Sequence, residues 1–147
     1  MPHVLVAGKI HPSGVALLQA SAGVTFTLVE EVSESSYAVH VAKADAIVIR
    51  TQPLSAATIA TAPSLKIVSR HGVGYDAVDV GALNARKIPL AIVGDVNSGS
   101  VAEHAMMLIL AASHRLVRAD QSVRSFNWGL RNKLESSEVA GKRLLIV

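Results

Sequence analysis

Short apolar segments alternate with helix-forming segments through the first two thirds of the chain. The segments rich in β-branched and aliphatic residues predict five strands, at residues 4–7, 24–28, 46–49, 66–69 and 89–93. Helices are predicted between them, near residues 13–21, 34–44 and 56–62. Pro12 at a first turn, Gly23 after a helix and Ser33 before one are typical helix boundaries. Apolar strands that alternate with helices predict a parallel sheet covered on both faces.

The pattern changes near residue 95. Residues 94–99 have the composition of a loop, and Ser100 with Glu103 three residues later forms a capping box that predicts a long helix over residues 100–125. Residues 105–112 are apolar around the whole circumference, which predicts a helix buried on all sides. Residues 144–147 predict a strand, and a lone strand needs partners. We therefore expect one domain over residues 1–95 and the opening of a second over residues 96–147.

Composition narrows the classes of function. The chain of 147 residues is half hydrophobic and 17% charged, which is typical of a folded domain with a core. A net charge of +3 and 3% aromatic residues argue against a nucleic-acid surface. The longest apolar run, residues 105–112, is too short for a bilayer span of about 20 residues. The absence of cysteine is compatible with a reducing cytoplasm, where we expect the protein, with neither nucleic acid nor membrane as partner.

The most informative segment is the loop after the fourth predicted strand, Arg70-His71-Gly72-Val73-Gly74. Glycines let a backbone approach a ligand closely, and a loop at the carboxyl end of a parallel strand can aim N–H groups at an anion such as a small carboxylate. The alternative is a simple tight turn, which composition alone favours. The loop does not match a dinucleotide fingerprint, because the third glycine would fall at position 77, which is Ala77.

Residues 65–79, with the sequence LKIVSRHGVGYDAVD, resemble the D-2-hydroxyacid dehydrogenases, which include phosphoglycerate, glycerate and formate dehydrogenases. A second block, NSGSVAEH at residues 97–104, is similar to the segment that opens the long interdomain helix of that family. The resemblance covers essentially the whole chain and is strongest over residues 65–128. It implies an α/β fold: a flavodoxin-like parallel sheet forms the substrate domain over residues 1–95, and residues 96–147 hold the first helix and strand of a Rossmann-type NAD-binding domain.

The resemblance also assigns substrate-binding residues. The backbone amides of Gly72, Val73 and Gly74 would hold the substrate carboxylate, and His71 borders that loop. Arg50 and Thr51 end the third strand, where the family often has an arginine and a small hydroxyl residue near the substrate. As an alternative, Arg50 is a solvated surface charge.

Two further residues come from the second block. Asn97 matches an asparagine that can contact the substrate, and Val101 matches a residue that packs near the nicotinamide ring. Their alternatives are a helix cap for Asn97 and ordinary core for Val101.

Two positions depart from the family pattern. Gly94 stands where proline is frequent, which predicts a looser loop, and Lys87 stands where glycine usually follows a helix.

The implied activity is hydride transfer between NAD, with NADP as the alternative cofactor, and a small 2-hydroxy or 2-oxo acid. The family's catalytic arginine, glutamate and histidine are expected beyond residue 147, so the isolated chain is predicted not to turn over and none of its six histidines inherits that role. His104 is predicted to be a satisfied structural residue, and no metal site is expected. The resemblance implies a homodimer through the helix at residues 100–125. The competing hypothesis is a non-catalytic module for binding a small carboxylate or for dimerisation.

Overall fold

Parallel strands and helices alternate through the first unit of the chain, Met1–Asp95, in the computed structural model, which describes residues 1–146. The strands are β1 His3–Ala7, β2 Thr25–Val29, β3 Ala46–Ile49, β4 Ile67–Arg70 and β5 Leu90–Ile92. The helices are α1 Pro12–Ala20, α2 Glu34–Val41, α3 Ala56–Ala60 and α4 Val80–Ala85. All strand pairs are parallel, in the order β2-β1-β3-β4-β5. This is the flavodoxin-like order, so the predicted α/β fold is confirmed.

The core of this unit is closed by side chains from every layer. Leu5, Ile47 and Val68 on the central strands are fully buried, as are Tyr37 on α2 and Leu83 on α4. The Tyr37 hydroxyl donates to the carbonyl oxygen of Pro53, and burial raises the pKa of this phenol. Apolar burial on both faces of the sheet is what the alternating sequence pattern requires.

Helix α4 has a well-defined start and a strained end. The Asp79 carboxylate accepts a hydrogen bond of 2.8 Å from the N–H of Ala82, which caps the first turn. Just beyond the helix, Lys87 has φ +56°, in the left-handed region that favours glycine. The family that the sequence resembles commonly has glycine at this position. Lys87 therefore adopts here a backbone conformation that has a steric cost for its side chain.

The second unit begins at Val96 and contains helices α5 Ser98–Ser113 and α6 Leu116–Arg124, followed by a 3₁₀ turn at Trp128–Lys133. The prediction of one helix over residues 100–125 is wrong at its start and in its middle, whereas its end agrees to within about one residue. The helix begins at Ser98, with Asn97 at the N-cap position, so Ser100 lies inside the helix and does not cap it. The helix is also interrupted at Arg115, whose φ of +52° breaks the repeating backbone geometry between α5 and α6.

The prediction that residues 105–112 are buried on all sides is also wrong. Met106, Met107 and Leu108 are each about half exposed, at 49%, 50% and 52%. Within residues 96–146, no residue is buried. The physical reason is that α6 and a short 3₁₀ turn cannot enclose a third helix from every direction.

The strand predicted at residues 144–147 is not formed over the part that the structure describes. Leu144, Leu145 and Ile146 are exposed and adopt no regular structure, and Val147 lies outside the described residues. Residues 96–146 contain no strand with which this segment could pair, and an unpaired strand is not stable in water.

Among residues 1–146, no helix combines the length and apolarity needed to cross a bilayer.

Candidate functional site

The strands of the first unit end level with one another at one edge of the sheet. The register pairs Ala7 with Ile49, Ile49 with Arg70, and Arg70 with Ile92. The loop that starts at Arg50 and the loop that starts at His71 are therefore neighbours. The structure thus brings Arg50 and Thr51 to the same edge as the glycine loop, at the carboxyl ends of the strands, where open α/β sheets bind ligands.

The glycine loop is exposed, and its amides divide into two groups. The N–H of His71 donates to Ile49 O at 2.7 Å, and the N–H of Gly72 donates to Arg70 O at 2.9 Å. Within residues 1–146, the N–H groups of Val73 and Gly74 donate to no protein acceptor, and Val73 is 44% exposed. Of the three amides expected to hold a carboxylate, two are therefore available and the first stabilises the loop itself.

Gly72 occupies a position that only glycine fits. Its φ is +155°, and a Cβ atom added to it would lie 2.7 Å from Nη1 of Arg70. Nη1 of Arg70 also donates to the carbonyl oxygen of His71 at 2.6 Å. The guanidinium of Arg70 consequently lies against the loop and adds positive charge beside the available amides. Arg70 was not among the site residues expected from the sequence, although its place at the end of β4, directly before the loop, was a usable signal.

Arg50 and Thr51 lie on the loop after β3, and both are exposed. Nη1 of Arg50 donates to Lys9 O at 3.1 Å, so the loop after β1 partly orders this exposed side chain. The N–H of Thr51 donates to Oε1 of Gln52 at 3.0 Å. Gln52 is 2% exposed and is a second residue that the sequence analysis missed. A lone glutamine in a polar loop carries no local signal of burial.

Asn97 and Val101 belong to the second unit. Asn97 occupies the N-cap position of α5, but its side chain makes no capping hydrogen bond, so its exposed amide is available to a ligand. Val101 is 57% exposed, which does not fit the alternative of ordinary core. In the preceding loop, Gly94 is exposed with no atom within 4 Å of an added Cβ. His104 is exposed as well, so the prediction of a satisfied residue inside a buried helix is wrong, because the helix itself is not enclosed.

The described residues fit a dinucleotide cofactor only in part. Gly72 and Gly74 form the one Gly-x-Gly pair of the sequence, and the available amides of Val73 and Gly74 suit a carboxylate better than a pyrophosphate because no helix starts directly after them. Val101 offers an exposed apolar surface for a planar ring. Residues 1–146 contain no cluster of three side chains that would hold a metal ion.

Comparisons with known proteins identify the family. The family model for the catalytic domain of D-isomer specific 2-hydroxyacid dehydrogenases matches residues 4–141. D-3-phosphoglycerate dehydrogenase of Mycobacterium tuberculosis is 38% identical over 148 aligned residues, which cover 100% of this chain and 28% of that protein. Glyoxylate reductase of Thermococcus onnurineus is 33% identical, over 88% of this chain and 40% of that protein. The chain therefore spans well under half the length of the curated relatives that it matches.

Solved structures agree with the sequence comparisons. The NADPH-dependent glyoxylate/hydroxypyruvate reductase of Sinorhizobium meliloti, in complex with NADP and malonate, is 28% identical with a TM-score of 0.73, over 97% of this chain and 43% of that one. The NAD-dependent formate dehydrogenase of Staphylococcus aureus has a TM-score of 0.77 at 23% identity, over 90% of this chain and 44% of that one, and so supports the fold alone. Since the family model matches nearly the whole chain and the two relatives align over most of it, this chain belongs to the D-isomer specific 2-hydroxyacid dehydrogenases.

Proposed function

We propose that this chain contributes the substrate-binding side of an NAD-dependent D-2-hydroxyacid dehydrogenase, which interconverts a small 2-hydroxy acid and the corresponding 2-oxo acid. The observation that carries the proposal is the exposed loop at Gly72–Gly74, whose two available amides lie beside the guanidinium of Arg70. A carboxylate accepts several hydrogen bonds at once and is stabilised by adjacent positive charge. The loop therefore suits the group that all 2-hydroxy acids share.

Each residue of the first unit has a role in this proposal. The N–H groups of Val73 and Gly74 bind the carboxylate, and Gly72 gives the loop its shape. His71 borders the loop, while Arg50 and Thr51 add a cation and a hydroxyl from the neighbouring strand end. Holding the acid at several points fixes its orientation, which is the contribution that a binding loop makes to a reaction at the adjacent carbon.

For the second unit we propose Asn97 as a substrate contact and Val101 as a contact of the nicotinamide ring. NAD, with NADP as the alternative, supplies the hydride acceptor when bound; the 28% identical reductase was solved in complex with NADP, which supports a nicotinamide dinucleotide. We assign residues 1–95 to the substrate domain and the following residues to the start of the cofactor-binding domain. A cytoplasmic location belongs to the same proposal, because a protein without cysteine is compatible with a reducing compartment.

We also propose that the protein is a homodimer and that α5 is part of its interface. The half-exposed side chains of Met106, Met107 and Leu108 are consecutive, so they spread apolar surface over about 200° of the circumference of α5. Such surfaces on folded proteins are usually covered by a partner. A second copy of this chain is the occupant that we propose, because an identical helix presents the same apolar side chains and closed two-fold symmetry is the commonest arrangement of oligomers.

The carboxylate site is tested by calorimetric titration of the chain with glyoxylate and with malonate. We expect Gly72→Ala to weaken binding at least about tenfold, because the added Cβ would lie 2.7 Å from Nη1 of Arg70 and push the guanidinium off the loop. Val73→Pro, which deletes one of the two available N–H groups, should weaken binding as well.

Gly23→Ala is the matched control for this titration. Gly23 also has a positive φ, +83°, but nothing lies within 4 Å of an added Cβ. It therefore reproduces the backbone strain without touching the loop, and its affinity for the acids should equal that of the unmodified chain. Equal affinity in Gly72→Ala and Gly23→Ala would contradict the proposed carboxylate site.

A further inference from the structure

Gln52 is buried although it directly follows two exposed residues. Its side chain is 2% exposed, whereas Arg50 and Thr51 before it and Pro53 after it are exposed. A buried carboxamide is costly unless its donors and acceptor are paired, so its position needs a physical reason. The hydrogen bonds of the side chain provide that reason.

The carboxamide of Gln52 connects the loops that follow three neighbouring strands. Nε2 donates to Glu31 O, just past β2, at 3.0 Å, and Oε1 accepts from the N–H of Thr51, just past β3, at 3.0 Å. In the sheet, β1 lies between β2 and β3, and its last residue is followed by Gly8. A Cβ added to Gly8 would lie 2.6 Å from Oε1 and 2.7 Å from Nε2 of Gln52. The amide therefore lies directly on Gly8.

Gly8 is a glycine for two reasons. Its φ is +104°, which strains any side chain, and the space above it is filled by Gln52 and by Cβ of Arg50, 2.9 Å from the added atom. Nη1 of Arg50 donates to the carbonyl oxygen of Lys9, the next residue of the same loop. The backbone of Thr51 and the guanidinium of Arg50 are consequently both fixed by contacts with neighbouring loops.

We infer that Gln52 is a positioning residue: its carboxamide, lying on Gly8 and bonded to Glu31 O and Thr51 N, fixes the Arg50–Thr51 turn for binding the acid. The inference rests on the proposed function of this edge of the sheet. An apolar residue at position 52 would leave the N–H of Thr51 and the carbonyl oxygen of Glu31 without partners, and the turn would shift to hydrate them. A small displacement of a binding group weakens an interaction that depends on orientation.

The experiment measures the affinity of the whole chain for malonate by calorimetric titration in four proteins: the unmodified chain, Gln52→Leu, Arg50→Ala and the double variant. We expect Gln52→Leu to weaken binding about tenfold. Because Gln52 acts through the Arg50–Thr51 turn, its loss should matter little once Arg50 is already replaced. The double variant should therefore bind malonate within about twofold of Arg50→Ala, so the two effects are not additive.

A second variant separates positioning from simple loss of packing. Gln52→Glu keeps an acceptor for the N–H of Thr51 but, when ionised, cannot donate to the carbonyl oxygen of Glu31. At each pH, its affinity for malonate is compared with that of the unmodified chain. The relative affinity should be reduced at pH 8 and should recover toward pH 5, because the buried carboxyl is then protonated. Thr58→Val is the control, because Thr58 is also buried and polar but lies on α3, so it should lower stability and leave the affinity unchanged.

The outcomes distinguish this inference from the proposed function. If the unmodified chain binds neither malonate nor glyoxylate, the proposed function fails and the role of Gln52 fails with it. If the unmodified chain binds and Gln52→Leu binds equally well, or if its loss is fully additive with Arg50→Ala, the positioning role alone is overturned. If Gln52→Leu does not fold, the pH series of Gln52→Glu decides: a relative affinity that does not rise toward pH 5 overturns the inference.

Discussion

The two units of this chain are both rich in apolar residues, but they use them differently. In the first, Met1–Asp95, residues such as Leu5, Ile47 and Leu54 are completely buried between the sheet and its helices. In the second, no residue over 96–146 is buried, and the most apolar helix, α5, has its large side chains about half exposed. A sheet with helices on both faces encloses its own core, whereas two helices and a turn leave an apolar helix in need of further cover.

This difference shows what an apolar pattern does and does not specify. The apolar side chains on every side of residues 105–112 predict that the helix is buried, but the pattern does not specify which atoms cover it. In the first unit, the covering atoms are supplied by elements close in sequence, so the prediction of a core holds. In the second unit, residues 96–146 do not supply them, and we propose that a second copy supplies part of them.

Removing a large side chain from each unit should give the largest contrast. Leu54→Ala removes a fully buried side chain and should lower the free energy of unfolding by about 2–5 kcal/mol. Leu110→Ala makes the same chemical change on α5, where the side chain is 43% exposed, and should cost less than half as much. Urea titration of dilute protein measures both, and equal losses would contradict the contrast between a closed and an open unit.

A charge on the apolar surface of α5 should weaken self-association by more than about tenfold, which corresponds to at least 1.4 kcal/mol. Leu108→Glu places a carboxylate where the proposed dimer would bury it, and a buried unpaired charge is strongly unfavourable. Light scattering over a range of concentrations measures the change in mass. Val39→Glu is the control, because Val39 is an exposed residue of α2 in the first unit, and its mass should stay that of the unmodified chain. An unmodified chain that is a clean monomer would contradict the proposed dimer.

Each unit also has a long cationic residue in the left-handed region just after a helix, and replacement by glycine should stabilise the first more than the second. Lys87→Gly should raise the free energy of unfolding by about 0.5–1 kcal/mol, because it relieves the steric cost at φ +56° in a well-packed unit. Arg115→Gly relieves a similar cost but also removes the contact of Nε with Glu135 O, and so should gain less. Thermal and urea unfolding of the two variants measure these changes in stability. If Lys87→Gly lowered the free energy of unfolding, the contacts of the Lys87 side chain would contribute more to stability than its backbone conformation costs.

The smallest expected effect is the loss of stability in acid that comes from one carboxylate of the first unit, Glu34. Burial acts to raise the pKa of Glu34, but hydrogen bonds from the Thr58 hydroxyl and the N–H of Ser55 outweigh it, and the pKa is lowered from 4.5. A pKa that is lower in the folded state means that the folded chain holds fewer protons, so this stabilisation is present above about pH 5 and is lost as the pH falls below it.

Glu34→Gln should therefore reduce stability at neutral pH and flatten its decline between about pH 5 and pH 3, measured by urea unfolding at a series of pH values. Glu135→Gln in the second unit is the comparison. It removes a surface ion pair with Arg118, which contributes little, so the free energy of unfolding at neutral pH should stay close to that of the unmodified chain. An unchanged profile for Glu34→Gln would show that the bonds to α3 do not stabilise the first unit.

The sequence predicted the first unit well because its signals are local. β3 is formed by the residues predicted for it, and the other strands differ by about one residue at either end. Helix α5 was misplaced because Ser100 and Glu103 have the spacing of a capping box, while the chain turns into the helix two residues earlier, at Ser98. The break at Arg115 has no sequence signal, since arginine is a good helix former and rarely adopts the left-handed backbone that it has here.

The candidate site divides in the same way. The glycine loop was singled out from its sequence context, because a loop directly after an apolar strand must lie at the carboxyl edge of a parallel sheet. Arg50 and Thr51 were assigned to the site by resemblance to the family. Which amides of the loop are available, and that Arg70 lies against Gly72, depend on hydrogen bonds and contacts that no spacing reveals.

By itself, then, the sequence determined the alternation of strands and helices, the edge at which the binding loops meet and the family to which their motifs point. These depend on periodicity and on residue types that act over a few positions. The tertiary structure alone decided the burial of Gln52 on Gly8, the bond between His71 N–H and Ile49 O, and the exposure of α5. Each of these depends on atoms that meet in space from distant parts of the chain, or fail to meet, and such encounters leave no trace in local pattern.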